Sequence, residues 1–207
     1  MLNTYHNKKV VIMGLGLHGG GISSAVFFAR LGAKVLVTDL KQAADLKPSI
    51  NKLKKFKNIE YVLGRHRKND FKRADLVIIN PAAPNDSEFL TIALANKIPV
   101  HTDISWFLKE FQVSSFKFQI IGITGAKGKS TTAALLQHIL TKCGKKSFLA
   151  GNIKKSPLDF IQITPASYKL QAANYIILEL SSWHLESLNE QRLSPALAVI
   201  TNIIPDH

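Results

Sequence analysis

The chain has one cysteine, Cys143, in 207 residues. That excludes an internal disulfide and fits a reducing cytoplasm. No apolar run approaches the ~20 residues that span a bilayer. The amino terminus, MLNTYHNKK, leads straight into a short strand without the apolar centre of a signal peptide. The expectation is a soluble, cytoplasmic protein with no membrane insertion. Acidic residues are scarce, 14 Asp and Glu against 27 Lys and Arg, for a formal charge of +13. This surplus favours anionic partners such as nucleotides or acidic substrates. Its densest stretches, Lys52 to Lys57 and Arg65 to Arg73, read as a helix and a loop. Neither offers the exposed sheet or groove with interleaved aromatic residues that binds nucleic acid, so no nucleic acid is expected.

What is present is organised around Phe118 to Thr132, FQIIGITGAKGKSTT, an apolar strand that runs into a glycine-rich turn and then a helix. Gly125 and Gly128 let the backbone approach an anion, and the amides of the turn and helix start can point at phosphate oxygens. Lys129 brings a cation to the outer phosphates, and the Ser130 hydroxyl stands where such loops place a Mg2+ ligand. The spacing departs from G-x-x-x-x-G-K-S/T, because Ile123 occupies the first glycine position.

Ahead of this loop, Lys9 to Gly14 is a continuous apolar run, as in a strand buried on both faces of a parallel sheet. Gly14, Gly16 and Gly19 match G-x-G-x-x-G, and a second buried strand, Lys34 to Thr38, ends at Asp39. By itself this suggests a dinucleotide, although the glycines require no more than close packing and a nearby phosphate. Strand candidates Ile59 to Leu63, Ala74 to Asn80 and Ile98 to Val100 alternate with helical stretches Pro48 to Phe56 and Glu88 to Asn96. The alternation predicts a doubly wound parallel sheet. Asn80 to Pro84 (NPAAP) leaves the carboxyl end of a strand, where ligands of such sheets bind. A linker is expected at Phe111 to Ser115, dividing the chain into 1–112 and 113–207.

After the phosphate loop, a helix from Lys129 to Lys142 and a strand from Lys146 to Ala150 are predicted. Ile153 to Gln171 has no strong period and reads as loop with one helical turn. Tyr175 to Leu180 is a buried strand carrying Glu179, a carboxylate costly to bury unless it meets a cation. Ala196 to Thr201 is a last strand.

Two nucleotide-type units in tandem, the second with G-I-T-G-x-x-G-K-S-T, resemble the Mur ligase family of ATP-dependent amide ligases. Gly151-Asn152-Ile153, Glu179 to Glu186 (ELSSWHLE), Asn202 to His207 (NIIPDH), Gly14 to Gly19 (GLGLHG) and Thr102 to Phe107 (TDISWF) are similar to that family's landmarks. ELSSWHLE and NIIPDH point to its branch that joins D-glutamate to UDP-N-acetylmuramoyl-L-alanine for peptidoglycan synthesis, and GLGLHG and TDISWF fit the same branch. The implied fold is α/β, a Rossmann-like parallel-sheet domain that binds a UDP-sugar, followed by a truncated P-loop ATPase-like domain.

The resemblance also implies roles. Leu17 and His18 contact the diphosphate, Asp39 meets the uracil, and Asn80, Pro81 and Ala82 form the second wall. Gly125, Ala126, Lys127, Gly128, Lys129, Ser130 and Thr131 bind ATP. Ser130, Glu179 and His207 hold Mg2+, with Lys129, Glu179 and His207 catalytic. Asn152, Ser181 and His184 line the substrate side. Ala82, Lys127 and His184 depart from the residues usual in the family, which are Gly, Asn and Gln. The family continues beyond this point with a carbamylated lysine and an amino-acid-binding domain. The 207 residues alone are therefore expected to be a monomer that holds nucleotide weakly and turns over little. Alternatives are an NAD(P)-dependent oxidoreductase, resting on the first glycine turn, and a non-catalytic nucleotide-binding protein. A folate-type polyglutamate ligase shares the loop, but there the ATP domain comes first.

Overall fold

The structure, a computed structural model, describes residues 4–17, 19–84, 86–112, 118–164 and 166–204. His18, Asp206, His207 and part of the expected linker, residues 113–115, lie outside this set. The chain forms two compact units, Met1–Asp103 with Gln162–Lys169, and Ile104–Ile161 with Leu170–His207.

In the first unit, short apolar runs become strands β1 (Lys9–Met13), β2 (Lys34–Asp39), β3 (Ile59–Leu63), β4 (Leu76–Ile79) and β5 (Val100–His101). They alternate with helices α1 (Gly20–Arg30), α2 (Lys47–Leu53), α3 (Lys68–Lys72) and α4 (Glu88–Ala95). The strands pair in parallel in the order β3-β2-β1-β4-β5. Val10, Val11 and Ile12 are buried at the centre of this sheet, as strands covered on both faces must be. Chain order reverses beside β1, which pairs with β2 on one side and β4 on the other. A crevice at the carboxyl ends of β1 and β4 is where ligands of open α/β sheets bind. Strand β5 starts later than the Ile98 to Val100 expectation. Pro99 has no amide to give the ladder, so Ile98 serves only as core and pairing begins at Val100.

A helix α5 (Asp103–Gln112) follows, and then the second unit is built on β6 (Gln119–Thr124), α6 (Lys129–Lys142), β7 (Ser147–Gly151), β10 (Tyr175–Glu179), α7 (Ser182–Glu190) and β11 (Leu197–Ile200). Its sheet is also parallel, ordered β11-β6-β10-β7. Helix α6 turns Ala133, Leu136 and Leu140 onto Ile121, Ile123 and Ile177. Edge strand β11 is exposed along its whole length. The stretch expected as loop holds a 3-10 turn, Pro157–Phe160, and two paired strands, β8 (Ile161–Ile163) and β9 (Tyr168–Leu170). Three residues per strand are too few to establish a period of two.

Candidate nucleotide site

The loop between β6 and α6 lies at the carboxyl end of its sheet, beside the ends of β10 and β11. It is held from the β11 side. Asn202 donates from Nδ2 to the Lys127 carbonyl at 2.9 Å and accepts the Lys127 amide on Oδ1 at 3.0 Å. The Ala126 amide reaches the Asn202 carbonyl at 3.3 Å. Thr201 Oγ1 donates to the same Lys127 carbonyl at 2.6 Å. A side chain at Gly125 would run into Thr201 Oγ1 and the Asn202 backbone, so only glycine permits this clamp. Asn202 and Thr201 are therefore structural parts of the loop. The sequence reading had Asn202 only as a motif letter, because nothing local links it to residues 75 positions earlier.

Lys129 opens α6 and folds back across the loop, where its ammonium donates to the carbonyls of Gly125 at 2.6 Å and Ala126 at 3.0 Å. No acidic residue lies in the first turn of α6 and no side chain caps it. The positive end of the helix and the Lys129 ammonium thus meet at one point, which is the arrangement an anion needs. Ser130 and Thr131 lie in the same first turn and are exposed.

Glu179 ends β10, between the loop strand β6 and β7. It is 2 % exposed. Its Oε1 accepts the Asn152 side-chain amide at 3.1 Å, and the Asn152 backbone amide bonds the Glu179 carbonyl at 2.9 Å. Its second oxygen, Oε2, is buried with no hydrogen-bond partner among the described residues. A buried carboxylate oxygen left bare beside a phosphate loop suits a divalent cation shared with a nucleotide. Among the described residues no three His, Cys, Asp or Glu side chains gather into a metal cage. Among the described residues, a cation here would find further ligands in hydroxyl oxygens, beside those of phosphate and water.

A cavity of about 520 Å³ opens beside the loop. Gly125, Ala126, Lys129, Asn152, Ser181 and Asn202 supply its polar wall, and Trp183, Leu185, Ile200 and Ile204 its apolar one. Asn152 and Ser181 were expected on the substrate side. Trp183, 55 % exposed, was not named from sequence, although an aromatic residue beside a buried acid on a strand-to-helix turn is a usable signal. His184, expected with them, is buried and does not line the cavity. Its Nδ1 instead faces Ser181.

In the first unit, Gly14 and Asn80 meet at the crevice between β1 and β4, and Asp39 reaches the glycine turn from the end of β2. Gly14 passes so close to Asn80 that an added Cβ would lie 2.8 Å from the Asn80 Cβ. Asn80 Oδ1 accepts the Ala82 amide at 3.0 Å, which shapes the stiff loop that carries Pro81. The Asp39 carboxylate accepts the Gly16 amide at 3.2 Å and the Lys41 amide at 2.9 Å, tying the glycine turn to the end of β2. Leu17 is exposed on that turn.

Behind Asp39, the Thr38 hydroxyl lies 2.7 Å from His66 Nδ1. Burial pushes the His66 imidazole below its ordinary 6.5, partly offset by the Asp39 charge. A lowered value in the fold means that the neutral ring is favoured there. The stability it contributes is present above pH 6.5 and is lost as pH falls through the lowered value. Melting of the first unit should therefore drop on acidification below that point. In His66→Gln the drop should be shallower, and equal slopes in thermal melts across pH would contradict this.

Residues 8–102 match the model of the Mur ligase MurD-like N-terminal domain, and residues 123–207 match that of the Mur ligase middle domain. A UDP-N-acetylmuramoylalanine–D-glutamate ligase of Borreliella afzelii is 42% identical over 207 residues, all of this chain and 42% of the relative. Enzymes of the same name from Roseiflexus sp. and Treponema pallidum are 40% and 38% identical, over 97% of this chain and 40% and 38% of their own lengths. The chain thus spans about two fifths of the curated relatives it matches. The crystal structure of a UDP-N-acetylmuramate:L-alanyl-gamma-D-glutamyl-meso-diaminopimelate ligase from Neisseria meningitides superposes with a TM-score of 0.59 at 19% identity. That match covers 97% of this chain and 62% of the other, and it bears on the fold alone.

Proposed function

The chain belongs to the Mur ligase family, with its MurD-like amino-terminal domain followed by its middle domain, and from that premise we propose a function. It carries the sugar-nucleotide-binding and ATP-binding parts of a ligase that adds D-glutamate to UDP-N-acetylmuramoyl-L-alanine. The observation that carries the reading is the clamped loop with Lys129 across it and the bare Glu179 oxygen beside it. The curated relatives named for this reaction support the choice of substrates.

Bound Mg-ATP supplies the phosphoryl group that converts the substrate carboxylate into an acyl phosphate open to attack by the D-glutamate amine. This chain's residues orient and neutralise. The loop amides and the start of α6 receive phosphate oxygens. The Lys129 ammonium moves from two carbonyls to the charge that develops on the transferring group. Ser130 and Glu179 hold the cation, and Thr131 supports the phosphates. Asn152 fixes the Glu179 carboxylate through Oε1 and leaves Oε2 for the metal. In the first unit, Leu17 with its glycine turn, Asp39 and the Asn80 to Ala82 loop hold the UDP moiety. His18 and His207 belong to the same proposal by matched motif position only.

Calorimetric titration tests the reading, with UDP-N-acetylmuramoyl-L-alanine and Mg-ATP as ligands and NADH as control. Both ligands should bind and NADH should not. NADH binding without the sugar nucleotide would favour the oxidoreductase reading of the first glycine turn.

A further inference from the structure

Helix α7 begins immediately after Ser181, and the contact of its third residue, His184, is unusual in chemistry. Ser181 and His184 form a capping box in which the serine oxygen accepts the His184 amide and the imidazole takes the place of the common Glu or Gln. The Ser181 backbone amide donates to His184 Nδ1 at 3.2 Å, and the Ser181 hydroxyl lies 2.7 Å from the same atom. A backbone amide can only donate, so Nδ1 carries no proton. The hydroxyl, sharing that acceptor, must donate to it as well. One lone pair of Ser181 Oγ receives the His184 amide, and its proton is directed at the imidazole. What Ser181 presents to the cavity it lines is therefore the remaining lone pair.

We propose that His184 is a positioning residue which fixes Ser181 as a hydrogen-bond acceptor in the cavity. A ligand group that reaches Ser181 is then a donor, a sugar hydroxyl or an amide N–H, and not a phosphate or carboxylate oxygen. The neighbouring loop and Lys129 present donors and select anions, so the two sides of one cavity sort a ligand by polarity. His184 acts from behind this wall, buried and without contact to the cavity. The inference takes from the proposed function only the identity of the ligand, a sugar nucleotide with hydroxyl and amide groups.

The test is a double-mutant cycle on the full chain with Ser181→Ala, His184→Ala and both, with His184→Gln as the conservative variant. Each ligand, UDP-N-acetylmuramoyl-L-alanine and Mg-ADP, is titrated separately. Either single alanine variant should weaken sugar-nucleotide binding about tenfold, the double variant no further, and Mg-ADP binding should hold within about twofold. His184→Gln, which keeps an acceptor in the capping box, should restore sugar-nucleotide binding. Additive losses, or equal losses for both ligands, would overturn the proposal and leave His184 as packing alone. Should the unaltered chain bind no sugar nucleotide, the proposed function fails. The nitrogen resonances of His184 then decide the inference, since a protonated Nδ1 at neutral pH contradicts it and an unprotonated, hydrogen-bonded Nδ1 supports it.

Discussion

Lys129→Ala is expected to weaken Mg-ATP binding by tenfold or more while leaving the fold intact. The ammonium stands at the start of α6 over the carbonyls of Gly125 and Ala126. Those carbonyls belong to a loop already held by Asn202 and Thr201, so removing the ammonium should cost the fold little. For the nucleotide the loss is larger. A charge-assisted hydrogen bond to phosphate contributes about 1.5–3 kcal/mol, or roughly 10- to 150-fold in affinity. Lys129→Arg should fail to restore binding, because a planar guanidinium fork cannot replace the compact ammonium that turns from the loop carbonyls to the phosphate. Calorimetry beside a thermal melt separates the two effects. Mg-ATP affinity in Lys129→Ala within about twofold of the unaltered chain would remove Lys129 from the site.

The glycine-rich loop and its helix were legible because their sequence signals are local. A buried strand, two glycines, a lysine and a hydroxyl stand within a few positions, and the helix they introduce runs from Lys129 to Lys142 as expected. The parallel sheets were legible for a similar reason, since strands buried on both faces read as unbroken apolar runs. What could not be read is what depends on pairs distant in the chain. Asn202 clamps the loop only because β11 pairs with β6 and delivers it there. Thr38 meets His66 only because β2 pairs with β3. His184 shows a subtler limit. Its position in the motif suggested a ligand contact, yet at the third position of a helix an imidazole can turn back to the cap, and here it does. Ser181 lines the cavity, while the orientation of His184 follows from helix geometry that the motif does not show.

Glu179→Gln should reverse the order of stability between variant and unaltered chain according to whether Mg-nucleotide is bound. Without divalent cations, Oε2 is a buried oxygen of an acidic side chain with no partner among the described residues. Such an unmet group costs about 1–3 kcal/mol, and more where it bears charge. Glutamine keeps an oxygen for the Asn152 side chain, which donates to Oε1 at 3.1 Å, and puts an uncharged amide nitrogen in place of Oε2, so the gain comes from removing a buried charge. In chelator the second unit of Glu179→Gln should therefore melt higher, by roughly 4–8 °C per kcal/mol recovered. Saturating Mg-ADP stabilises whatever binds it, about 2.7 kcal/mol at a hundred times its Kd. That gain should appear in the unaltered chain and be largely absent from the variant, so the two melting curves exchange order. A carboxylate kept only for structure would give no such exchange. If Glu179→Gln melts lower than the unaltered chain in chelator, the oxygen has a protein partner and the metal assignment loses its physical basis. If Mg-ADP raises both chains equally, the cation is held elsewhere and Glu179 does not ligate it.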